Sequence, residues 1–140
     1  MSHHEIYQPA FSGPPGTVLA GLDLSGLKLP TPYISHGLPF EEACAKRVRE
    51  TFNATRMYIV ASRSLAANTD NVDRLLAAIG HNQVVGVRKG ISSHSPLSEI
   101  LEIVGECREK KVDCVVTLGA GSITDGCKLA VFVSEPAVRR

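Results

Sequence analysis

Apolar positions along this chain fall into two alternating rhythms. Short apolar runs stand at Met57-Tyr58-Ile59-Val60-Ala61, at Gln83-Val84-Val85-Gly86-Val87, and at Cys114, Val115, Val116 and Leu118. Runs of this length, rich in β-branched residues, suit strands covered on both faces. Between them the spacing changes to that of a helix. Phe40, Ala43, Cys44, Val48 and Phe52 form one stripe, with Pro39 opening the helix and acids preceding bases along it. Val72, Leu75, Leu76 and Ile79 form a second, which Gly80 can end. Leu97, Ile100, Leu101 and Val104 form a third, with Ser95 as N-cap, Pro96 at the first helical position and Lys110-Lys111 near the end. A last helix runs from Ser122 to about Phe132, and Pro136 ends it.

The order is helix, strand, helix, strand, helix, strand, helix. Helix-length crossovers between buried strands predict an α/β fold: a Rossmann-like parallel sheet with helices on both faces. Residues 1–32 break the rhythm. They are rich in Pro and Gly, as in Ser12-Gly13-Pro14-Pro15-Gly16, and read as an arm. One short strand is expected near Thr17-Val18-Leu19, paired in an edge hairpin with a second at Tyr33-Ile34-Ser35-His36-Gly37. The α/β domain then occupies residues 33–140.

In such sheets ligands gather at the C-terminal ends of the strands. The turns there are Ser62-Arg63-Ser64, Arg88 to His94, and Gly119-Ala120-Gly121-Ser122. The last is the strongest signal. Gly119 and Gly121 allow a sharp turn and a close backbone approach by a ligand, and Ser122 stands where a helix begins. Free N–H groups and the helix dipole there favour phosphate. Two common phosphate motifs fail. G-x-G-x-x-G would need glycine where Thr124 stands, and a P-loop would need lysine where Cys127 stands. A kinase or ATPase reading is therefore poor, and a ligand-free glycine turn stays open beside a phosphate or dinucleotide site.

Composition narrows the classes. The chain has 140 residues, 44% hydrophobic, which suits one domain with a core. Fifteen Lys and Arg against 14 Asp and Glu give a net charge of +1, so neither nucleic acid nor an anionic membrane is an expected partner. No apolar stretch is long enough to span a bilayer, and the N-terminus lacks a signal-peptide pattern, so a cytoplasmic location is expected. Cys44, Cys107, Cys114 and Cys127 form no C-x-x-C pair and read as reduced and mostly buried. The five histidines show no metal-ligand spacing.

Gly119-Ala120-Gly121-Ser122-Ile123-Thr124-Asp125-Gly126-Cys127-Lys128 resembles the G-G-G-S-x-x-D-x-x-K signature of the iron-containing alcohol dehydrogenases, with Ala120 replacing the middle glycine. His94-Ser95-Pro96 is similar to the H-x-P loop of the maleylacetate reductase branch. The related dehydroquinate synthases share a glycine turn, but Ser122 and Lys128 favour the dehydrogenases. The resemblance extends back to about Tyr33.

It implies NAD or NADP, with the pyrophosphate on Gly119, Ala120, Gly121 and Ser122. Asp125 either holds the turn, pairing with Lys128, or faces the ribose and nicotinamide. Many family members carry an acid after the first strong strand, where it holds the adenosine ribose; Ser62 and Arg63 stand there instead. Arg63 is either a 2′-phosphate partner or a plain surface residue. His94 either points at cofactor or substrate or bonds local backbone. The family also implies iron or zinc, held by an Asp and three His of a helical C-terminal domain; that domain and its ligands are expected to be absent here. The expected function is the NAD(P)-binding half of a reductase acting on a carbonyl, alcohol or enoate. The alternatives are a non-catalytic nucleotide-binding module and a homodimeric interaction module on the same fold.

Overall fold

The computed structural model describes residues 4–9, 18–19, 22–23, 33–92, 96–119 and 121–138. It divides into two compact units, Met1–Pro39 and Phe40–Arg140.

In the first unit, β1 (Ile6–Pro9) pairs antiparallel with β4 (Tyr33–His36), placing Ile6 opposite His36 and Pro9 opposite Tyr33. Tyr7 and Tyr33 stack with ring centroids 4.8 Å apart, and the Ser35 hydroxyl donates to Glu5 at 2.6 Å. Between them, β2 (Val18–Leu19) pairs with β3 (Leu22–Asp23). The expected hairpin is thus corrected. Both strands exist, but each has another partner: Val18-Leu19 pairs with Leu22-Asp23, and Tyr33–His36 takes the aromatic-bearing strand near the N-terminus.

The second unit is built on a parallel sheet of β5 (Met57–Ala61), β6 (Val84–Lys89) and β7 (Cys114–Leu118), in the order β6-β5-β7. β5 is central, and all five of its residues are 0% exposed. Side chains alternate across it, as the strand period demands. Met57 and Ile59 join Ala45, Val48, Leu75 and Ile79 on one face, from α1 (Phe40–Glu50) and α3 (Asn71–Ile79). Tyr58 and Val60 join Ile100, Ile103, Val104, Ile123, Cys127 and Ala130 on the other, from α4 (Leu97–Glu109) and α5 (Ser122–Val138). The predicted α/β layering, with helices on both faces of a parallel sheet, is what forms. Each large side chain so buried contributes about 1.5–3 kcal/mol.

Several helix readings change. In α4 the buried stripe is Ile100, Ile103 and Val104, while Leu97 and Leu101 are 63% and 51% exposed. At about 100° per residue those leucines fall on the flank of the face that meets Tyr58 and Val60. Phe52 lies beyond the end of α1 and is exposed. A short helix unread in the sequence, α2 (Arg63–Asn68), replaces the polar turn after β5, because the Ser62 hydroxyl caps it by accepting the Leu65 N–H at 3.3 Å. α5 continues to Val138 instead of stopping before Pro136; one missing N–H in a last turn does not end a helix that is already propagating. α4 starts at Leu97, with Pro96 as its N-cap position, and Ser95 lies outside the described residues.

At the N-terminal end of the sheet Asp113 ties β5 to β7. Its carboxylate accepts the Thr55 N–H at 2.9 Å, the Thr55 hydroxyl at 3.1 Å and the Arg56 N–H at 3.0 Å. Inside, the buried Tyr58 hydroxyl donates to Glu106 at 2.5 Å. Burial first, then this bond to a carboxylate, holds the phenol well above its ordinary pKa. The four cysteines are free thiols, Cys127 buried and the others half-buried.

Candidate functional site

The strand order creates a switch point. From β5 the chain crosses by α2 and α3 to β6 on one side, then by α4 to β7 on the other. Loops leaving the C-terminal ends of β5 and β7 therefore part in opposite directions and leave a crevice between them.

Those loops touch at their bases. Ser62 N–H donates to Leu118 O at 2.8 Å, extending the parallel ladder by one step beyond β5. Gly119 follows with φ +139°, a conformation L side chains rarely adopt, and a Cβ built on it would stand 3.1 Å from the Ser62 Cβ. Glycine is therefore required both by the backbone angle and by the approach of Ser62. Gly121 has φ +60°, and a Cβ there would meet no atom within 4 Å. The turn thus presents bare backbone to open space immediately before α5. Ser122 is the first residue of that helix and is half-buried, and Asp125 N–H donates to Gly121 O at 3.0 Å, closing its first turn. The N–H groups of the opening turn have no intrahelical acceptor, and the positive end of the dipole adds to them.

Asp125 is exposed in the first turn, and so is Lys128; the ion pairs of the described residues do not join them. Ala120 and His94, both singled out in the sequence, lie outside the described residues, as do Ser93 and Ser95.

On the other flank, Gly90 N–H donates to Ala61 O at 2.7 Å, which brings the end of β6 against the end of β5. Arg63, exposed at the start of α2, lies over Gly90: a Cβ on that glycine would be 3.1 Å from Arg63 Nε. Arg88 points toward α4, donating to Glu102 at 3.0 Å and lying 3.7 Å from Glu99. Glu99 in turn accepts the Ser92 N–H at 2.8 Å and the Ser92 hydroxyl at 3.0 Å. Those two bonds, with the charges of Arg88 and Arg63 behind them, hold its carboxyl below the ordinary range.

The structure therefore brings Ser62, Arg63, Gly119, Gly121, Ser122 and Asp125 to the C-terminal edge of one sheet. Glu99 was not read from the sequence, and Gly90 was read only as part of the loop Arg88 to His94. The signals available were a glycine directly after a strand and an acid in a first helical turn; neither is specific alone.

Among the described residues no three His, Cys, Asp or Glu side chains converge in a way that could hold a metal ion. No described helix is long and apolar enough to cross a membrane.

The model of the iron-containing alcohol dehydrogenases matches residues 37–139. The dehydrogenase FUM7 of Gibberella moniliformis is 42% identical over 99 residues, which cover 71% of this chain and 23% of that protein. The dehydrogenase ALT3 of Alternaria alternata is 39% identical over 79 residues, 56% of this chain and 20% of its own length. The chain thus spans less than a quarter of the length of these curated relatives. Among solved structures, maleylacetate reductase from Agrobacterium tumefaciens superposes with a TM-score of 0.59 at 22% identity, over 68% of this chain and 26% of that one. An iron-containing alcohol dehydrogenase from Thermococcus thioreducens gives 0.55 at 22%, over 64% and 24%. At this identity the likeness of the solved structures is one of fold.

Proposed function

The chain belongs to the iron-containing alcohol dehydrogenase family, and from that premise we propose that it is the NAD(P)-binding part of a dehydrogenase or reductase. The observation that carries this reading is the turn at the switch point of the sheet, where Gly119 and Gly121 both take positive φ. Gly121 offers backbone with no atom within 4 Å of where a side chain would stand. A pyrophosphate seated there receives the N–H groups that open α5, with Ser122 beside them. The close contact of Gly119 with Ser62 sets the height of the turn against the end of β5. The residues present fit a dinucleotide. When bound, it supplies hydride transfer; the chain's own contribution here is to bind the phosphates and fix the direction in which the nicotinamide leaves the turn.

The family's metal, iron or zinc, does not fit the described residues, which bring no donor set together. The substrate class, a small carbonyl, alcohol or enoate, is an inference from the family. A second reading keeps the same dinucleotide seat in a module without hydride transfer. Titrating NADH and NADPH against the chain by nicotinamide fluorescence tests the shared premise: saturable binding of at least one is expected, and binding of neither overturns it. Turnover of a small aldehyde with added divalent metal then separates dehydrogenase from module.

A further inference from the structure

The loop that leaves β6 is held down residue by residue. Gly90 N–H donates to Ala61 O at 2.7 Å, and Ile91 packs against the core on the Tyr58 and Val60 face. Arg88 Nε donates back to Gly90 O at 3.3 Å. Ser92 gives both its N–H and its hydroxyl to Glu99, at 2.8 and 3.0 Å, across a chain separation of seven residues. The Glu99 carboxylate, in the first turn of α4, is the node of this cluster. Arg88 lies 3.7 Å from it, and Arg63, whose Nε is 3.1 Å from a Cβ built on Gly90, adds a second positive charge. Arg88 and Glu99 are 17% and 21% exposed, so water screens that pair less than Arg88 with Glu102, which is 61% exposed. The sheet and the helix do not depend on the node. The ladder from β5 to β6 runs on backbone bonds to Lys89, and α4 docks by Ile100, Ile103 and Val104. What Glu99 fixes is the loop between them, at the edge of the sheet where ligands gather.

We propose that Glu99 is a positioning residue: by tying Ser92 and Arg88 to one carboxylate it holds the loop after β6 in the conformation that receives the dinucleotide, without touching the dinucleotide itself. The inference rests on the dinucleotide reading above and adds what keeps that edge of the crevice in place. A loop ordered before the ligand arrives spares the complex the entropy of ordering it, and that saving appears as affinity. A carboxylate suits the task because one side chain accepts two bonds from Ser92 and still answers the guanidinium charge behind it. Alanine at position 99 breaks all of these ties together and leaves the strands and the buried face of α4 as they are.

The experiment measures NADH and NADPH dissociation constants, the hydrogen exchange of the Ser92 amide and the thermal midpoint for the chain, Glu99→Ala, Glu99→Gln, Ser92→Ala and the double variant Glu99→Ala with Ser92→Ala. Glu99→Ala is expected to free the Ser92 amide, to move the midpoint by less than about 4 °C, and to weaken whichever dinucleotide binds by roughly three- to tenfold. Glu99→Gln keeps the shape and an acceptor for Ser92, so it should recover part of that loss. The double variant should bind no more weakly than Glu99→Ala alone, because both changes break one tie. A purely structural role would lower stability and affinity together. Affinity within about twofold of wild type in Glu99→Ala, with the Ser92 amide exchanging freely, overturns the positioning role and leaves the dinucleotide site standing. Losses that add in the double variant overturn it as well. Binding of neither dinucleotide by the wild-type chain overturns both.

Discussion

Alanine at Gly121 separates a turn glycine from a ligand seat. At φ +60° an alanine is strained by about 1–2 kcal/mol. Restricting the unfolded chain returns about 0.4–1 kcal/mol. The added methyl meets no atom within 4 Å, so no packing penalty is added. Gly121→Ala should therefore destabilise by only about 1 kcal/mol. Binding should suffer more. A methyl in that space holds a phosphate away from the backbone and removes a charge-assisted hydrogen bond of about 1.5–3 kcal/mol, a roughly 10- to 100-fold loss of affinity. Gly119→Ala is the matched control. Its φ of +139° and the 3.1 Å approach to Ser62 predict a larger stability loss, about 2–4 kcal/mol, because the methyl must displace a neighbouring loop. Thermal melts give the stabilities and NADPH fluorescence titration the affinities. If Gly121→Ala binds within about twofold of wild type, the space above Gly121 holds no phosphate and the site is wrong.

Two further outcomes test the scaffold. Glu106→Ala leaves the buried Tyr58 hydroxyl without its acceptor and should destabilise by about 1–3 kcal/mol in denaturant melts, and by clearly less in a Tyr58→Phe background; equal losses in both would show the bond contributes nothing. Asp113 is raised by burial but lowered further by the Thr55 and Arg56 hydrogen bonds, so its folded pKa lies below the ordinary 3.8. Its contribution is then present above pH 3.8 and is lost as pH falls through the lower folded value, so the stability gap between wild type and Asp113→Ala should be constant near neutrality and close in acid. A gap that widens on acidification would contradict this sign.

The sheet was legible because its strands are uninterrupted apolar runs. Met57–Ala61 is buried on both faces, and that double burial leaves no polar alternation to confuse with a helix. The helices were legible in place but not always in face. Leu97 and Leu101 match the spacing as well as Ile103 does, and only the position of Tyr58 and Val60 decides which side is covered. Short elements were poorly legible: α2 depends on one serine cap, and β1 on pairing across a gap of more than 20 residues. Of the site, Gly119, Gly121 and Ser122 announced themselves by residue type. Their meeting with Ser62, and that of Gly90 with Arg63, follows from the order β6-β5-β7, which alternation of elements does not specify.

The most direct measurement is a backbone amide NMR titration of the chain with NADPH. Saturable shifts centred on Gly119, Gly121, Ser122 and Ile123 are expected, with Thr55, Arg56 and Asp113 at the far end of the sheet unmoved. Saturable shifts centred elsewhere, or none at the β7–α5 turn, would contradict it.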